Sequence, residues 1–464
     1  MSEQTGAPVV VIGAGPVGLA AAAHLAERGV DFAVLESGPS VAAAIEEWRH
    51  VKLFSPWRYD IDSAARRLLE QSGWIEPDLA KLPTGGDLID SYLAPLTKTP
   101  ELNDRIRYDA QVVAVTRVGF DRIRTTGRDA APFLIRLADG SELLASAVID
   151  AAGTWRKPNV LGGSGIPARG ELEAEGIAHA LPDVLGVDRD RFAGRRTAVV
   201  GAGHSAATTL LDLGQLADEV PGTEIVWVVR GTDQARTYGG GEADELPARG
   251  ALGSRLKKLV QSGHVELVSS FRIEAIGRTG GRVQLTSGER EVVADTVINS
   301  TGFRPDHDMV SELRLDLDPI LGSTRALAPL IDPNKHSCGT VPPHGVDELA
   351  HPEPGYYAIG AKSYGRAPTF LLATGYEQAR SVVAALAGDW EAARDVQLDL
   401  PETGVCSSNL AYGGTADEAG GCCGPAPRAV EVSAPAGRGL ATGISGGLLT
   451  VIEDETTKSS GCCG

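Results

Sequence analysis

The 464 residues carry 43 Lys and Arg against 61 Asp and Glu, a net charge of −18 at pH 7, with 42% hydrophobic residues. That length exceeds one ordinary core and implies two folded domains, while the acidity argues against nucleic acid or an anionic membrane surface as partner. No run of about eighteen apolar residues occurs, so no membrane span is expected, and the N-terminus lacks the basic opening of a signal peptide, which leaves the cytoplasm as the expected location.

The first predicted element is the apolar strand Val9-Val10-Val11-Ile12, followed by Gly13-Ala14-Gly15-Pro16-Val17-Gly18, a helix, and a second strand closing at Glu36. This strand–turn–helix aims backbone N–H groups and the positive end of a helix at a pyrophosphate. A carboxylate at Glu36 accepts hydrogen bonds from ribose hydroxyls; the expected occupant is a dinucleotide, FAD more by resemblance to flavoproteins than by the motif itself. The chain next passes Trp48, Ser55 and Trp57, where it is expected to return past the flavin and line its ring pocket. Ordinary core is the equal alternative for the two tryptophans. The strand Ala147-Val148-Ile149-Asp150 closes at Gly153, with Arg156 and Lys157 just beyond as further candidates for a phosphate.

The second cradle is Thr197-Ala198-Val199-Val200-Gly201-Ala202-Gly203-His204-Ser205-Ala206, closing at Arg230. Arginine here suits a 2′-phosphate, so NADPH is expected, held by Gly201, Gly203, Ala206 and Arg230. His204 reads as a helix-start residue with no catalytic role. Thr296-Val297-Ile298-Asn299 runs on to Gly302 and repeats the ending at Gly153, so one unit occurs twice. Tyr364 and Arg366 precede a closing helix over Gly375–Leu386. The expected class is α/β: two Rossmann-like, doubly wound domains with the NADPH domain inserted in the FAD domain. The boundaries are 1–157 and 296–403 for the FAD domain, 158–295 for the NADPH domain, and 404–464 for a flexible Gly/Ala-rich tail with Cys-Cys pairs. Leu400-Pro401-Glu402-Thr403-Gly404 spells a sortase signal without the hydrophobic segment and basic end that such a signal needs.

All six cysteines lie at or after Cys338, and four form the pairs Cys422-Cys423 and Cys462-Cys463, each in a Gly-Cys-Cys-Gly frame. A secreted disulfide framework would spread through the folded body. A flavoprotein disulfide reductase needs a CxxxxC or CxxC pair near the flavin, and neither occurs. Dioxygen is then the simplest electron acceptor, and the flavin carries the chemistry.

On its two cradles and the strands closing at Gly153 and Gly302, the chain resembles two-dinucleotide flavin-dependent monooxygenases over about residues 8–400. It departs from their FxGxxxH signature, offering only Gly170, Gly176 and His179 between the cradles. The segments Trp48–Trp57, Asp332–Gly345 and Lys362–Phe370, with the Cys-Cys-Gly tail, are similar to flavoproteins associated with bacterial arsenic resistance. That resemblance implies an NADPH- and FAD-dependent monooxygenase that oxidises trivalent organoarsenicals such as methylarsenite. Trivalent arsenic is thiophilic, and Cys338, Cys422, Cys423, Cys462 and Cys463 are its candidate ligands. For Cys338 a buried small hydrophobe is an equal alternative, and a zinc site of Cys338 with His336 and His344 fits no standard spacing. Two rivals stand beside this reading: a flavin monooxygenase of an amine or sulfide, and a non-catalytic metalloid-binding flavoprotein.

Overall fold

Val9–Ile12 (β1) is apolar at each position and buried at each position, as a strand covered on both faces of a parallel sheet must be. The computed structural model describes residues 6–238, 247–335, 341–368 and 370–398. After β1 come helix α1 (Pro16–Glu27), β2 (Phe32–Leu35) and β3 (Ile106–Arg107). An antiparallel sheet of β4 (Val112–Arg117), β5 (Phe133–Leu137) and β6 (Glu142–Ala145) follows, then β7 (Ala147–Asp150).

A second series starts with β8 (Ile177–Ala178), β9 (Arg196–Val200), helix α2 (His204–Glu219), β10 (Glu224–Val228) and β11 (Val265–Val268). It continues through the antiparallel strands β12 (Ala275–Thr279), β13 (Arg282–Ser287) and β14 (Arg290–Ala294) to β15 (Thr296–Asn299). The chain then returns as β16 (Tyr356–Ala358) and helix α3 (Leu372–Leu386).

Two parallel sheets result, ordered β16-β7-β1-β2-β3 and β11-β10-β9-β15-β8. Their centres repeat one plan. β1 lies between β2 and β7, with Ile12 opposite Asp150; β9 lies between β10 and β15, with Val200 opposite Asn299. The expected α/β class with two doubly wound sheets is present, and β16 joins the first sheet only after the second has been threaded. One boundary differs. Thr296–Asn299 is a strand of the second sheet, so that sheet runs past 295, because β15 pairs with the edge of β9 that β10 leaves open and so satisfies its backbone hydrogen bonds.

Small residues bring α1 and α3 together. A Cβ on Gly375 would lie 2.6 Å from Val17 Cγ2, so a side chain there would force the helices apart. No helix among the described residues is long and apolar enough to cross a membrane.

Candidate functional site

Gly13 has φ +100°, and a Cβ on it would lie 2.7 Å from the Ala151 carbonyl oxygen; on Gly18 it would lie 2.0 Å from the Gly13 carbonyl oxygen. Both glycines serve close backbone packing. Gly15 differs: nothing lies within 4 Å of its Cβ position, and its backbone faces an open cleft at the start of α1. No side chain caps that helix start, so its first amides remain available to an anion.

The cleft follows the carboxyl ends of the first sheet's strands. Glu36 lies at one end, past β2; Gly13 and Gly15 follow β1; Ala151 to Lys157 follow β7; and Gly360 to Lys362 follow β16. Glu36 is buried, accepting from the Ala14 amide at 2.8 Å and the Gly38 amide at 2.9 Å. It braces the glycine turn, and a carboxylate keeps further lone pairs for ribose hydroxyls. An open glycine, an uncapped helix start and a terminal carboxylate together fit FAD.

The second cradle has the same parts. Gly201 has φ +140° with its Cβ position 2.1 Å from the Ser300 carbonyl oxygen, and Gly203 meets nothing within 4 Å. No side chain caps α2. The Trp227 indole N–H donates to the Gly201 carbonyl at 2.7 Å, and Ala206 is buried against the sheet. Arg230 is exposed past β10, where a charged group of the ligand would meet it. These parts fit a nicotinamide dinucleotide.

Aromatic rings join the two sheets. Trp155, after β7, has its ring 4.5 Å from His179 and 4.9 Å from Phe303, which follow β8 and β15. The Phe54 ring lies 5.2 Å from His204 at the start of α2. Trp48 lines the cleft beside this group, 6.3 Å from Trp155.

Ser55 and Trp57 do not line the cleft. Trp57 is 4% exposed within the main core, because the three-residue turn it opens folds inward under Lys81 and Leu79. Ser55 donates to Asp60 Oδ1 at 2.7 Å. Asp60 is wholly buried, and burial pushes its carboxyl up to about 7 against the pull of that bond. Arg366 is exposed and Tyr364 is core. Arg156 and Lys157 do line the cleft, paired respectively with Glu47 and with Asp306 and Asp308. Cys338, Cys422, Cys423, Cys462 and Cys463, with Cys406 and His336, lie outside the described residues. Among the described residues no group of His, Cys, Asp and Glu is placed to hold a metal ion.

A family model described as pyridine nucleotide-disulphide oxidoreductase matches residues 10–320, which include both cradles. The chain belongs to the pyridine nucleotide-disulphide oxidoreductase family. It is an oxidoreductase that uses FAD and NAD(P)H. The matched stretch contains no cysteine.

A curated relative, indole-3-pyruvate monooxygenase YUCCA1 of Oryza sativa subsp. japonica, is 31% identical over 206 residues, 44% of each chain. The alignment thus spans less than half of that relative's length. The bacillithiol disulfide reductase Bdr (YpdA) of Bacillus cereus superposes with a TM-score of 0.61 at 18% identity, over 82% of this chain and 99% of its own. A flavin-containing monooxygenase from Stenotrophomonas maltophilia gives 0.54 at 22% identity, over 82% and 99%. Both share the fold.

The sequence singled out the glycines, Glu36 and Arg230, and it missed Lys362 and Asp150. Lys362 Nζ lies 2.5 Å from Asp150 Oδ2, and both are buried. The available signals were an aspartate ending the apolar strand Ala147–Asp150 and a lysine in the short turn Gly360–Lys362 just past β16.

Proposed function

We propose that the protein is an NADPH- and FAD-dependent monooxygenase acting on a small, soft trivalent centre, with organoarsenicals such as methylarsenite the first substrates to try. The observation that carries the reaction class is the pairing of two dinucleotide cradles with a cysteine-free stretch over residues 10–320. That stretch offers no thiol pair to the electrons delivered there. FAD, when bound, supplies the passage of two electrons from NADPH to dioxygen. One oxygen atom then goes to the substrate and the other leaves as water.

The chain's own residues hold and shield these partners. Gly13, Gly15 and the start of α1 take the FAD pyrophosphate, with Gly18 packed behind them, and Glu36 takes the ribose. Gly201, Gly203, Ala206 and the start of α2 take NADPH, with Arg230 against its 2′-phosphate. Trp48, Trp155, His179 and Phe303 exclude water from the junction. The arsenical reading is supported by the segments Trp48–Trp57, Asp332–Gly345 and Lys362–Phe370 and by the paired cysteines, whose thiolates suit a soft metalloid. The aromatic junction favours a second reading, oxygenation of an organic amine or sulfide.

FAD-loaded protein in air is expected to consume NADPH faster when methylarsenite is present and to yield pentavalent arsenic. Unstimulated turnover giving only hydrogen peroxide would move the organic reading ahead. Arg230→Ala is expected to lower the preference for NADPH over NADH by about tenfold in kcat/KM, the scale of one charge-assisted contact. An unchanged preference would remove Arg230 from the site.

A further inference from the structure

Three cations line the cleft: Arg156, Lys157 and Lys362. The first two stand at its rim with side chains 63% and 40% exposed, each in a surface ion pair. Lys362 is different, with a side chain 1% exposed against an Asp150 that is 0% exposed. Tyr356 donates its hydroxyl to the same Oδ2 at 2.9 Å. The Asp150 backbone is pinned as well, its carbonyl accepting from the Ile359 amide at 2.9 Å.

An ammonium has three N–H donors, and Asp150 is its only hydrogen-bond partner among the described residues. Burying such a group with donors unspent is costly unless an acceptor arrives. Its charge is felt nearby: burial first, then the Lys362 ammonium, holds the His307 imidazole below its ordinary range.

Sheet order says which acceptor. Glu36 follows β2 and Gly15 follows β1, while Lys362 follows β16, on the far side of β7. Three strand spacings, about 14 Å, separate the ends of β2 and β16. With the ribose of the adenosine at Glu36 and the pyrophosphate at Gly15, the remaining flavin half of FAD extends toward β7 and β16.

We propose that Lys362, held by Asp150 and Tyr356, is the fixed cation that the cleft presents to the flavin half of FAD, favouring its more negatively charged reduced form. The proposal rests on FAD in the first cleft and not on oxygen as acceptor or on any substrate. A fixed charge in a site shielded from water acts strongly on the potential of a bound cofactor.

The test is the two-electron midpoint potential of the bound FAD, read from flavin absorbance during equilibration with reference dyes. Lys362→Met is expected to weaken binding of reduced relative to oxidised FAD about tenfold, a fall of about 30 mV. Asp150→Asn keeps an acceptor for Tyr356 but leaves the ammonium unneutralised, so the potential is expected to rise. It serves alone should Lys362→Met fail to fold. Opposite shifts support the proposal; an unchanged potential, or shifts of one sign in both variants, overturns it. Wild-type protein that retains no flavin absorbance would instead overturn the assignment of FAD to this cleft.

Discussion

Gly15→Val is expected to give a folded protein that has lost FAD, with affinity down about a hundredfold or more, close to 3 kcal/mol. Gly15 has φ −81° and ψ −177°, which valine adopts without strain, and its Cβ position meets no protein atom. The new side chain therefore fills only the space that a pyrophosphate must enter to reach the amides of α1. Gly18→Val is the contrast, because its Cβ would collide with the Gly13 carbonyl at 2.0 Å and the fold itself should suffer. Titrating FAD into each purified variant, with thermal melts of the apoprotein beside it, separates the two cases. Retention of FAD by Gly15→Val at wild-type affinity would remove the first cradle from the proposed site.

The largest expected loss of stability is at Glu353. Its carboxylate is buried and accepts from Arg117 Nε at 2.8 Å, from Arg128 at 2.6 Å and from the Arg314 amide at 3.0 Å. Arg128 is itself wholly buried, and the Arg117 guanidinium lies 3.6 Å over the Phe133 ring. Glu353→Gln leaves two guanidiniums without their anion, at a cost of about 3–5 kcal/mol and a drop in Tm of roughly 10 °C. Glu142→Gln, which breaks the exposed pair with Arg136, should cost under about 1 kcal/mol. Equal melts for the two variants would contradict the ranking.

A pH dependence accompanies it. Burial alone would raise the Glu353 carboxyl, but the Arg314 amide and the two guanidiniums outweigh it and hold it below the usual range. Its stabilisation is therefore complete above the ordinary glutamate value and fades as the pH falls through the lowered one.

The cradles were legible in the sequence because their function needs a local pattern. A strand, a turn closed by glycine and a helix occupy under thirty consecutive residues, and β1 to α1 and β9 to α2 follow the expected positions. Ser55 was expected in the flavin pocket on chain order alone, and Trp57 either there or in ordinary core with equal weight. Their true neighbours, Asp60 and the main core, depend on how a short turn packs under residues 79 to 81, which no local pattern reveals. Lys362 shows the converse. Its neighbour Asp150 is 212 positions away, and the two meet only because β16 adds to the edge of β7. In the stretch Lys362–Arg366, Tyr364 is core and Arg366 faces solvent, so neither joins Lys362 in lining the cleft.

The placement of β16 also sets an order of events on the ribosome. Every strand of the second sheet lies between Ile177 and Asn299, whereas β7 waits for Tyr356–Ala358 before its outer edge is covered. Roughly two hundred residues must emerge in that interval, about 10–40 s of synthesis. During that time the nascent chain presents an open, apolar strand edge of the kind that recruits other chains. Newly made protein should therefore depend on chaperones most when translation pauses shortly before residue 356.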